Sequence, residues 1–200
     1  DVFDIERRGM HAAMRVIAVS HMTARMLVHR YDVPAERIDV VYNGIDLPPA
    51  PLPAQPRVIH RGDRIVLFLG RITMQKGPEY FLRAARRVLE KQQNVKFVMA
   101  GAGDMVRQVI ELASAQGIGH KVFFTGFLRG RDVSRIFQMA DVYVMPSVSE
   151  PFGIAPLEAI RHDVPVIISK QSGVAEVLTH ALKVDFWDTD DIADKLLAVL

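Results

Sequence analysis

Short apolar segments rich in β-branched residues alternate with amphipathic segments from residue 65 to the end of the chain. This alternation is typical of a parallel β-sheet covered by helices, because each crossover between parallel strands needs a connection of about helix length. The sequence therefore predicts a doubly wound, Rossmann-like α/β domain with a parallel sheet. The predicted strands are Ile65–Leu69, Val95–Ala100, Lys121–Thr125, Val142–Met145, Val164–Ser169 and Lys183–Asp185.

The segments between these strands carry apolar residues at helical spacing. After the first strand, Phe81, Ala85 and Val88 fall on one helical face. Pro78 precedes them and suits the first position of that helix. Further helices are predicted near Met105–Ala115, Asp132–Met139, Ile154–His162, Val174–Leu178 and Asp190–Leu200.

A smaller α/β unit precedes this domain. Arg15–Val19 and Ile38–Val41 are predicted strands on either side of a helix that Ser20 would cap. A proline-dense segment follows, and because proline fits neither a helix interior nor a strand ladder, we predict an extended linker. The chain is accordingly divided into the end of one α/β domain at 1–46, a proline-rich linker at 47–62 and a second domain at 63–200.

The composition excludes several classes of function. A net charge of +2 is too small to favour nucleic acid as a partner, and the absence of cysteine excludes thiolate catalysis and cysteine metal sites. The longest apolar runs are of strand length, far below the roughly 18 residues of a membrane span. We therefore expect a soluble protein with a cytoplasmic location. Because position 1 is Asp and no signal-type segment follows it, we also expect an excised or processed piece.

A basic loop follows the first strand of the larger domain. It contains Gly70, Arg71, Lys76 and Gly77, and it ends where Pro78 begins the next helix. At the carboxyl edge of a parallel sheet, Arg71 can clamp two phosphate oxygens and Lys76 can supply a compact charge. The loop is not a Walker P-loop, since Gly77 stands where Ser or Thr is required. An exposed basic loop without a ligand is the alternative interpretation.

Two glycines, Gly101 and Gly103, follow the second strand. They begin like a dinucleotide fingerprint, but Val106 occupies the place of the third glycine, which argues against a nicotinamide site. The alternative is that these glycines only permit a tight turn.

Two carboxylates with seven residues between them, Glu150 and Glu158, flank the join between the fourth strand and the next helix. Phe152, Gly153 and Ile154 would then lie at a helix start, where free backbone N–H groups favour an anion. Glu158 is placed to accept hydrogen bonds from sugar hydroxyls. The alternative is that both acids only stabilise the helix N-terminus. We favour a binding function, because this motif and the basic loop converge on one edge of one sheet.

Residues spread over most of the chain match the pattern of one enzyme family. They are Gly70-Arg71, Lys76-Gly77, Gly101, Gly103, Thr125-Gly126, Ala140-Asp141-Val142, Pro146-Ser147, Glu150, Gly153, Glu158-Ala159, Pro165-Val166-Ile167, Gly173 and Glu176. In this pattern the chain resembles the retaining glycosyltransferases of family 4, often called group 1, which have the two-domain GT-B fold. Upstream, Val19-Ser20 and Asn43-Gly44-Ile45-Asp46 resemble the last strand of the family's N-terminal acceptor domain and the interdomain link.

The resemblance implies a role for each part of the site. Arg71 and Lys76 would hold the diphosphate of the donor and stabilise it as a leaving group, and Glu150 would contact the transferred sugar. Glu158 would bind the ribose hydroxyls, and the amides of Phe152–Ile154 the phosphate. Further donor-binding residues are then expected at Gly70, Gly101, Gly153, Ser172 and Gly173. No metal or other cofactor is expected, because cations and amide dipoles meet the developing charge.

The resemblance also implies partners: a nucleotide-sugar donor, and a saccharide, lipid or small-molecule acceptor bound mainly by a missing N-terminal domain. Peripheral membrane association of the full-length protein, retention of anomeric configuration and inactivity of this fragment alone are further expectations. Two alternatives stay open: a nucleotide-sugar binding module without activity of its own and, less favoured, a dinucleotide-dependent oxidoreductase.

Two positions depart from this pattern, and one short motif resembles a metal-binding one. Asp163 and Ser172 stand where the family usually has glycine. Asp188-Thr189-Asp190 resembles a metal-binding Asp-x-Asp, but it opens an amphipathic helix, where such residues are ordinary caps.

Overall fold

The computed structural model describes residues 1–46 and 62–200, and helices and strands alternate through both ranges. The strands are β1 Val16–Ala18, β2 Ile38–Val40, β3 Arg64–Leu69, β4 Val95–Ala100, β5 Val122–Gly126, β6 Val142–Met145, β7 Val166–Ser169 and β8 Leu182–Val184. The α-helices are α1 Val2–Ala12, α2 His21–Tyr31, α3 Pro78–Lys91, α4 Val106–Ala115, α5 Arg131–Met139, α6 Ala155–Arg161 and α7 Thr189–Val199. Short 3₁₀ helices occupy Ala35–Arg37, Met74–Lys76, Gly119–Lys121 and Gly173–Glu176.

Six parallel strands form the main sheet, in the order β5-β4-β3-β6-β7-β8. Since β3 lies between β4 and β6, the chain leaves β3 towards one edge of the sheet and later returns past it to β6. Such a reversal of strand order opens a crevice at the carboxyl ends of the two central strands. The predicted doubly wound, Rossmann-like α/β fold is confirmed.

Helices cover both faces of this sheet. On one face, α3, α4 and α7 bury residues such as Phe81, Val109 and Leu196 against the strands. On the other face, α5 and α6 bury Phe137 and Ala159. Every residue of β6 is buried, as expected for a central parallel strand between two helical layers. The two cores therefore fix the strand ends from which the site loops extend.

A separate two-stranded parallel sheet, formed by β1 and β2, lies in the N-terminal part of the chain. The helix α2 connects the two strands and buries Leu27 and Tyr31. Ser20 caps α2, because its Oγ accepts the N–H of Thr23 at 3.0 Å. The predicted strands and the predicted cap are confirmed. The predicted proline-rich linker lies almost entirely outside the described residues.

One predicted helix is wrong. The segment predicted as a helix at Val174–Leu178 is a 3₁₀ helix at Gly173–Glu176. The N–H of Gly173 donates to the carbonyl oxygen of Glu150 at 3.0 Å, and that of Val174 donates to Phe152 at 2.7 Å. These bonds hold the start of the segment against a neighbouring loop, and the segment continues for a single short turn. The other predicted elements of the larger domain end within one or two residues of the observed ones.

Asp163 follows α6 in a turn and has a φ of 59°, the left-handed conformation that favours glycine. Asp tolerates this conformation better than most residues with a side chain. Asp163 therefore forms the same kind of turn that a glycine would form at this position.

Candidate functional site

A cavity of about 350 Å³ opens at the carboxyl edge of the main sheet, beside the ends of β3 and β6. The predicted site residues that line it are Gly70, Arg71, Lys76, Glu150, Phe152, Gly153 and Ile154. Val19 and Asn43, from the N-terminal part of the chain, line it as well. The crevice at the reversal of strand order thus brings the basic loop and the paired-glutamate motif together.

Lys76 and Glu150 form an ion pair in this cavity. The side chain of Lys76 is 20% exposed and that of Glu150 is 10% exposed. Because water screens such a pair less than it screens a surface pair, the attraction between the two charges is stronger here. Arg71 lies in the same wall, and its Nη2 donates to Gln75 Oε1 at 3.2 Å.

Gly77 allows the lysine loop to reach the loop after β6. Its φ is 64°, and a Cβ at this position would lie 2.1 Å from the carbonyl oxygen of Pro146. The start of α3 therefore approaches the backbone after β6 more closely than any side chain would permit. This close approach is the physical reason why Lys76 can meet Glu150.

The backbone of Glu150 is held from both sides. Its N–H donates to the carbonyl oxygen of Gln171 at 3.0 Å, and its own carbonyl accepts the N–H of Gly173 at 3.0 Å. These contacts make an isolated parallel bridge with Ser172. Main-chain bonds on both sides therefore fix the backbone that carries the Glu150 carboxylate.

The loop at residues 152–154 comes before α6, and only Ile154 belongs to the helix start, as its N-cap. Gly153 has a φ of 97°, and a Cβ there would lie 3.1 Å from Glu150 Cγ. Among the described residues, the N–H groups of Phe152, Gly153 and Ile154 find no acceptor. Free amides beside a cavity suit an anion.

Glu158 lies in the first turn of α6 and does not line the cavity. Its charge nevertheless acts on the floor of the cavity. Burial, followed by the charges of Glu150 and Glu158, raises the pKa of the Tyr143 phenol far above its usual value. The Tyr143 hydroxyl donates to the carbonyl oxygen of Leu69 at 3.2 Å. Both predicted carboxylates thus act on one buried phenol that stays protonated.

A second cavity, of about 240 Å³, shares Leu69, Gly70 and Arg71 with the first. The rest of its lining consists of Ala100, Gly101, Ala102, Phe127, Leu128 and Val133. Its wall is mostly apolar, and Phe127 is 65% exposed beside it. Arg71 therefore lies between the cavity that contains the Lys76–Glu150 pair and a second, more apolar cavity.

The glycines after β4 serve close packing. A Cβ at Gly101 would lie 1.8 Å from the carbonyl oxygen of Gly70, and one at Gly103 would lie 2.1 Å from that of Ile72. The loops after β3 and β4 could not lie this close with any other residue at these positions. The two glycines therefore have a structural role, as the tight-turn interpretation expects.

Two predicted donor-binding residues, Ser172 and Gly173, lie behind the site. The Ser172 hydroxyl donates to the carbonyl oxygen of Ser169 at 2.6 Å, and the residue is 2% exposed. A Cβ at Gly173 would lie 2.2 Å from the carbonyl oxygen of Pro151. Neither residue lines the two cavities described above, so both support the Glu150 loop from behind.

Sequence reasoning missed Gln75. Its backbone carbonyl accepts the N–H of Val148 at 2.9 Å, and its Nε2 donates to the carbonyl oxygen of Ser149 at 2.9 Å. Together with the contact from Arg71, these bonds tie the basic loop to the segment before Glu150. A single glutamine between two cations carries no recognisable signal in the sequence, so only the structure reveals it.

Within residues 1–46 and 62–200, no group of three or more acidic or histidine side chains is arranged to hold a metal ion. Asp188 caps α7, since its Oδ1 accepts the N–H of Asp191 at 3.0 Å, which confirms the prediction of an ordinary cap. No helix of the described chain has the length and apolar character needed to cross a bilayer.

Comparison with known families agrees with this geometry. The model of the family named glycosyl transferases group 1 matches residues 54–200, and that of glycosyltransferase family 4 matches residues 2–48. The chain belongs to the group 1 glycosyltransferases. The sequence resemblance is therefore confirmed, and the six-stranded domain is the C-terminal half of a GT-B fold.

Curated relatives support this membership. An uncharacterized glycosyltransferase of Methanocaldococcus jannaschii is 36% identical over 188 residues, which are 88% of this chain and 47% of that protein. The D-inositol 3-phosphate glycosyltransferase of Mycolicibacterium smegmatis is 32% identical over 209 residues, covering 98% of this chain and 47% of the relative. The chain thus spans just under half the length of these relatives.

Solved glycosyltransferases share the fold. Anabaena HepE, solved in complex with UDP and glucose, superposes with a TM-score of 0.83 at 20% identity, over 98% of this chain and 56% of HepE. S. aureus TarM, solved with UDP and alpha-GlcNAc-glycerol among its ligands, gives a TM-score of 0.82 at 18% identity, over 98% of this chain and 38% of TarM. The likeness extends through both the small sheet and the large one.

Proposed function

We propose that this chain supplies the donor site of an enzyme that transfers a sugar from a nucleoside-diphosphate sugar to an acceptor with retention of anomeric configuration. The observation that carries the proposal is the meeting of Arg71 and Lys76 with Glu150 in one cavity at the reversal of strand order. Two cations and free amides beside a carboxylate suit a diphosphate joined to a sugar. Family membership and the UDP bound by HepE support the same donor class.

The two cavities suggest how the donor lies. The diphosphate would lie against Arg71, Lys76 and the amides at residues 152–154, and the transferred sugar beside Glu150. The apolar second cavity would take the base, with Phe127 as a stacking surface. Arg71 borders both cavities, which fits a diphosphate lying between a base and a sugar. Contact between Glu158 and the ribose stays part of this proposal.

The proposed reaction depends on stabilising the leaving group. The bond between the sugar C1 and the β-phosphate oxygen breaks, and its electron pair passes to the phosphate. The acceptor hydroxyl oxygen bonds to C1, and its proton passes to the departing phosphate. Arg71 and Lys76 would stabilise the negative charge that develops, which is why no metal is proposed. Glu150 would orient the sugar through its hydroxyls.

The proposal assigns a separate role to each part of the chain. Residues 1–46 would end the acceptor domain, 47–62 would form the linker, and 63–200 would form the donor domain. The acceptor, a saccharide, lipid or small molecule, would be bound mainly by N-terminal residues beyond this chain. One relative is named a 2-deoxystreptamine N-acetyl-D-glucosaminyltransferase and another a D-inositol 3-phosphate glycosyltransferase. A cytoplasmic location and peripheral membrane association of the full-length protein complete the proposal.

A screen of melting temperature tests the donor class. Full-length protein would be heated with UDP-, ADP- and GDP-sugars and with NAD, followed by a transfer assay with the donor that stabilises most. Stabilisation by one class of nucleotide-sugar, together with sugar transfer, is the expected result. Binding without transfer by the full-length protein would favour a binding module. Stabilisation by NAD alone would favour an oxidoreductase and contradict the proposal.

A further inference from the structure

Three hydrogen bonds join Glu176 to the N-terminal part of the chain. Its carboxylate accepts the backbone N–H groups of His21 and Met22, each at 2.8 Å, and the hydroxyl of Tyr42 at 3.2 Å. His21 and Met22 form the first turn of α2, whose N–H groups have no acceptor within the helix. A carboxylate from the donor side therefore caps a helix of the N-terminal part, where the helix dipole also favours negative charge.

A second contact joins α2 to the loop that carries Glu150. Ser20, which is fully buried, donates from its Oγ to the carbonyl oxygen of Pro151 at 2.7 Å. Gly173 packs behind this bond, because a Cβ there would lie 2.6 Å from Ser20 Cβ. The start of α2 thus fits against the donor loop with no room for another side chain.

The ring of Tyr42 adds a third contact, since it packs against Phe152 with 6.1 Å between ring centroids. Phe152 belongs to the loop that lines the main cavity. Tyr42 therefore touches the donor loop through its ring and Glu176 through its hydroxyl. We call Ser20, Tyr42, Pro151, Gly173 and Glu176 the junction cluster.

The junction cluster lies on one side of the cavity only. Arg71 and Lys76 follow β3, on the other side, and they take no part in the hydrogen bonds of the cluster. Val19 and Asn43 line the cavity directly, so the N-terminal part forms a portion of its wall. A change in the angle of α2 would therefore move that wall, while the backbone of Arg71 and Lys76 stays attached to β3.

We propose that Glu176 is a positioning residue that fixes the N-terminal part over the donor cavity and so sets the alignment of the acceptor with the bond that breaks. This inference rests on the proposed function, because it assigns the acceptor to the N-terminal side. Reaction rates fall steeply with small misalignments, and a displacement of about 1 Å can lower a rate about 100-fold. Glu176 would thus govern transfer far more than donor affinity.

The test compares Glu176→Ala and Glu176→Gln with wild type in the full-length protein. The measurements are kcat for transfer, hydrolysis of the donor without acceptor, melting temperature and the Kd of UDP, ADP and GDP tested in turn. In Glu176→Ala, kcat for transfer should fall about 10- to 100-fold, while the Kd of the nucleotide that binds stays within about threefold. Hydrolysis of the donor should rise relative to transfer. Glu176→Gln keeps one acceptor oxygen, so its kcat for transfer should lie between that of wild type and that of Glu176→Ala.

Glu111→Ala is the matched control. Glu111 is an exposed carboxylate on α4 that pairs with Arg107 four residues earlier, and its loss should leave kcat and Kd unchanged. An unchanged kcat in Glu176→Ala, or a loss of nucleotide affinity equal to the loss of kcat, would overturn the inference. If Glu176→Ala does not fold, Tyr42→Phe carries the test, since it removes one hydroxyl only. It should lower kcat about threefold, and an unchanged kcat would then overturn the inference.

The outcomes also separate this inference from the proposed function. Wild-type protein that neither binds a nucleoside diphosphate nor transfers sugar would contradict the proposed function itself. Active wild-type protein with an equally active Glu176→Ala variant would reject the role of Glu176 alone.

Discussion

Lys76 and Glu150 form an ion pair across the main cavity although 74 residues separate them in the sequence. A bound diphosphate would compete with Glu150 for the lysine. The carboxylate of Glu150 thus pairs with the cation that the leaving group is proposed to use.

Glu150→Gln should separate affinity from catalysis. The substitution removes a negative charge beside the proposed phosphate position and frees Lys76, so UDP or the matching nucleoside diphosphate should bind several-fold more tightly. Transfer should fall about 100-fold, since the sugar loses its charged hydrogen-bond acceptor. Calorimetric titration and initial transfer rates measure the two effects. Weaker nucleotide binding by this variant would contradict the proposed competition.

Arg71→Ala and Lys76→Ala should each lower kcat/KM by about 100- to 1,000-fold, the usual effect of losing one preorganised group that stabilises developing charge. Initial rates with saturating acceptor provide the measurement. Arg107→Ala is the control, because Arg107 is an exposed cation on α4 that pairs with Glu111 of its own helix. Wild-type rates in both site variants would contradict the assignment of the leaving-group site.

Gly77→Ala should destabilise the fold more than Gly117→Ala. Both glycines have a positive φ, of 64° and 73°, so both substitutions carry the strain of a left-handed conformation, about 1 kcal/mol. Only at Gly77 would the new Cβ meet backbone, the carbonyl oxygen of Pro146 at 2.1 Å, while nothing lies within 4 Å at Gly117. Urea denaturation should show that Gly77→Ala loses about 1–3 kcal/mol more free energy of unfolding than Gly117→Ala. An equal loss in the two variants would show that the two loops can move apart without cost.

Phe127→Ala should weaken binding of the nucleoside diphosphate about tenfold, because stacking of a base on an aromatic ring is worth about 1–3 kcal/mol. Phe123→Ala is the control: Phe123 is 45% exposed on β5 and does not line the second cavity. Titration of both variants with UDP, ADP and GDP measures the difference. The same affinity in both variants would place the base elsewhere.

The contribution of Glu176 to stability should depend on pH. Burial opposes its ionisation, but the N–H groups of His21 and Met22 and the Tyr42 hydroxyl outweigh burial and lower the pKa of the carboxyl. A carboxyl with a lowered pKa stabilises the fold above its unfolded pKa, and this contribution is lost as the pH falls through the folded pKa. The difference in melting temperature between wild type and Glu176→Gln should therefore be full near pH 7 and shrink below about pH 4. A difference that grows towards acid would contradict this sign.

The sequence predicted the donor half of the fold well because its signals are local. Apolar periodicity identified the strands and most helices, and Ser20 was recognisable as a cap from its place before α2. Proximity of the basic loop to Glu150 was also predictable, since the carboxyl ends of parallel strands share one edge. Local patterns did not predict the 3₁₀ helix at Gly173–Glu176, where the backbone is hydrogen-bonded to the loop that carries Glu150.

The placement of individual side chains required the structure. Ser172 was predicted as a donor-binding residue. Its hydroxyl donates to the carbonyl oxygen of Ser169, behind the cavity. Gln75 and Tyr143 were not predicted, because their importance comes from partners distant in sequence, Ser149 and Leu69.

The sequence by itself therefore determined the α/β fold class, the family and the two loops that form the candidate site. These depend on periodicity and on motifs read within short segments. Only the tertiary structure decided that Lys76 pairs with Glu150 and that Glu176 caps α2 from the other part of the chain. Such contacts depend on how closely backbones approach, at Gly77 and Gly173 above all, and a linear pattern does not encode that distance.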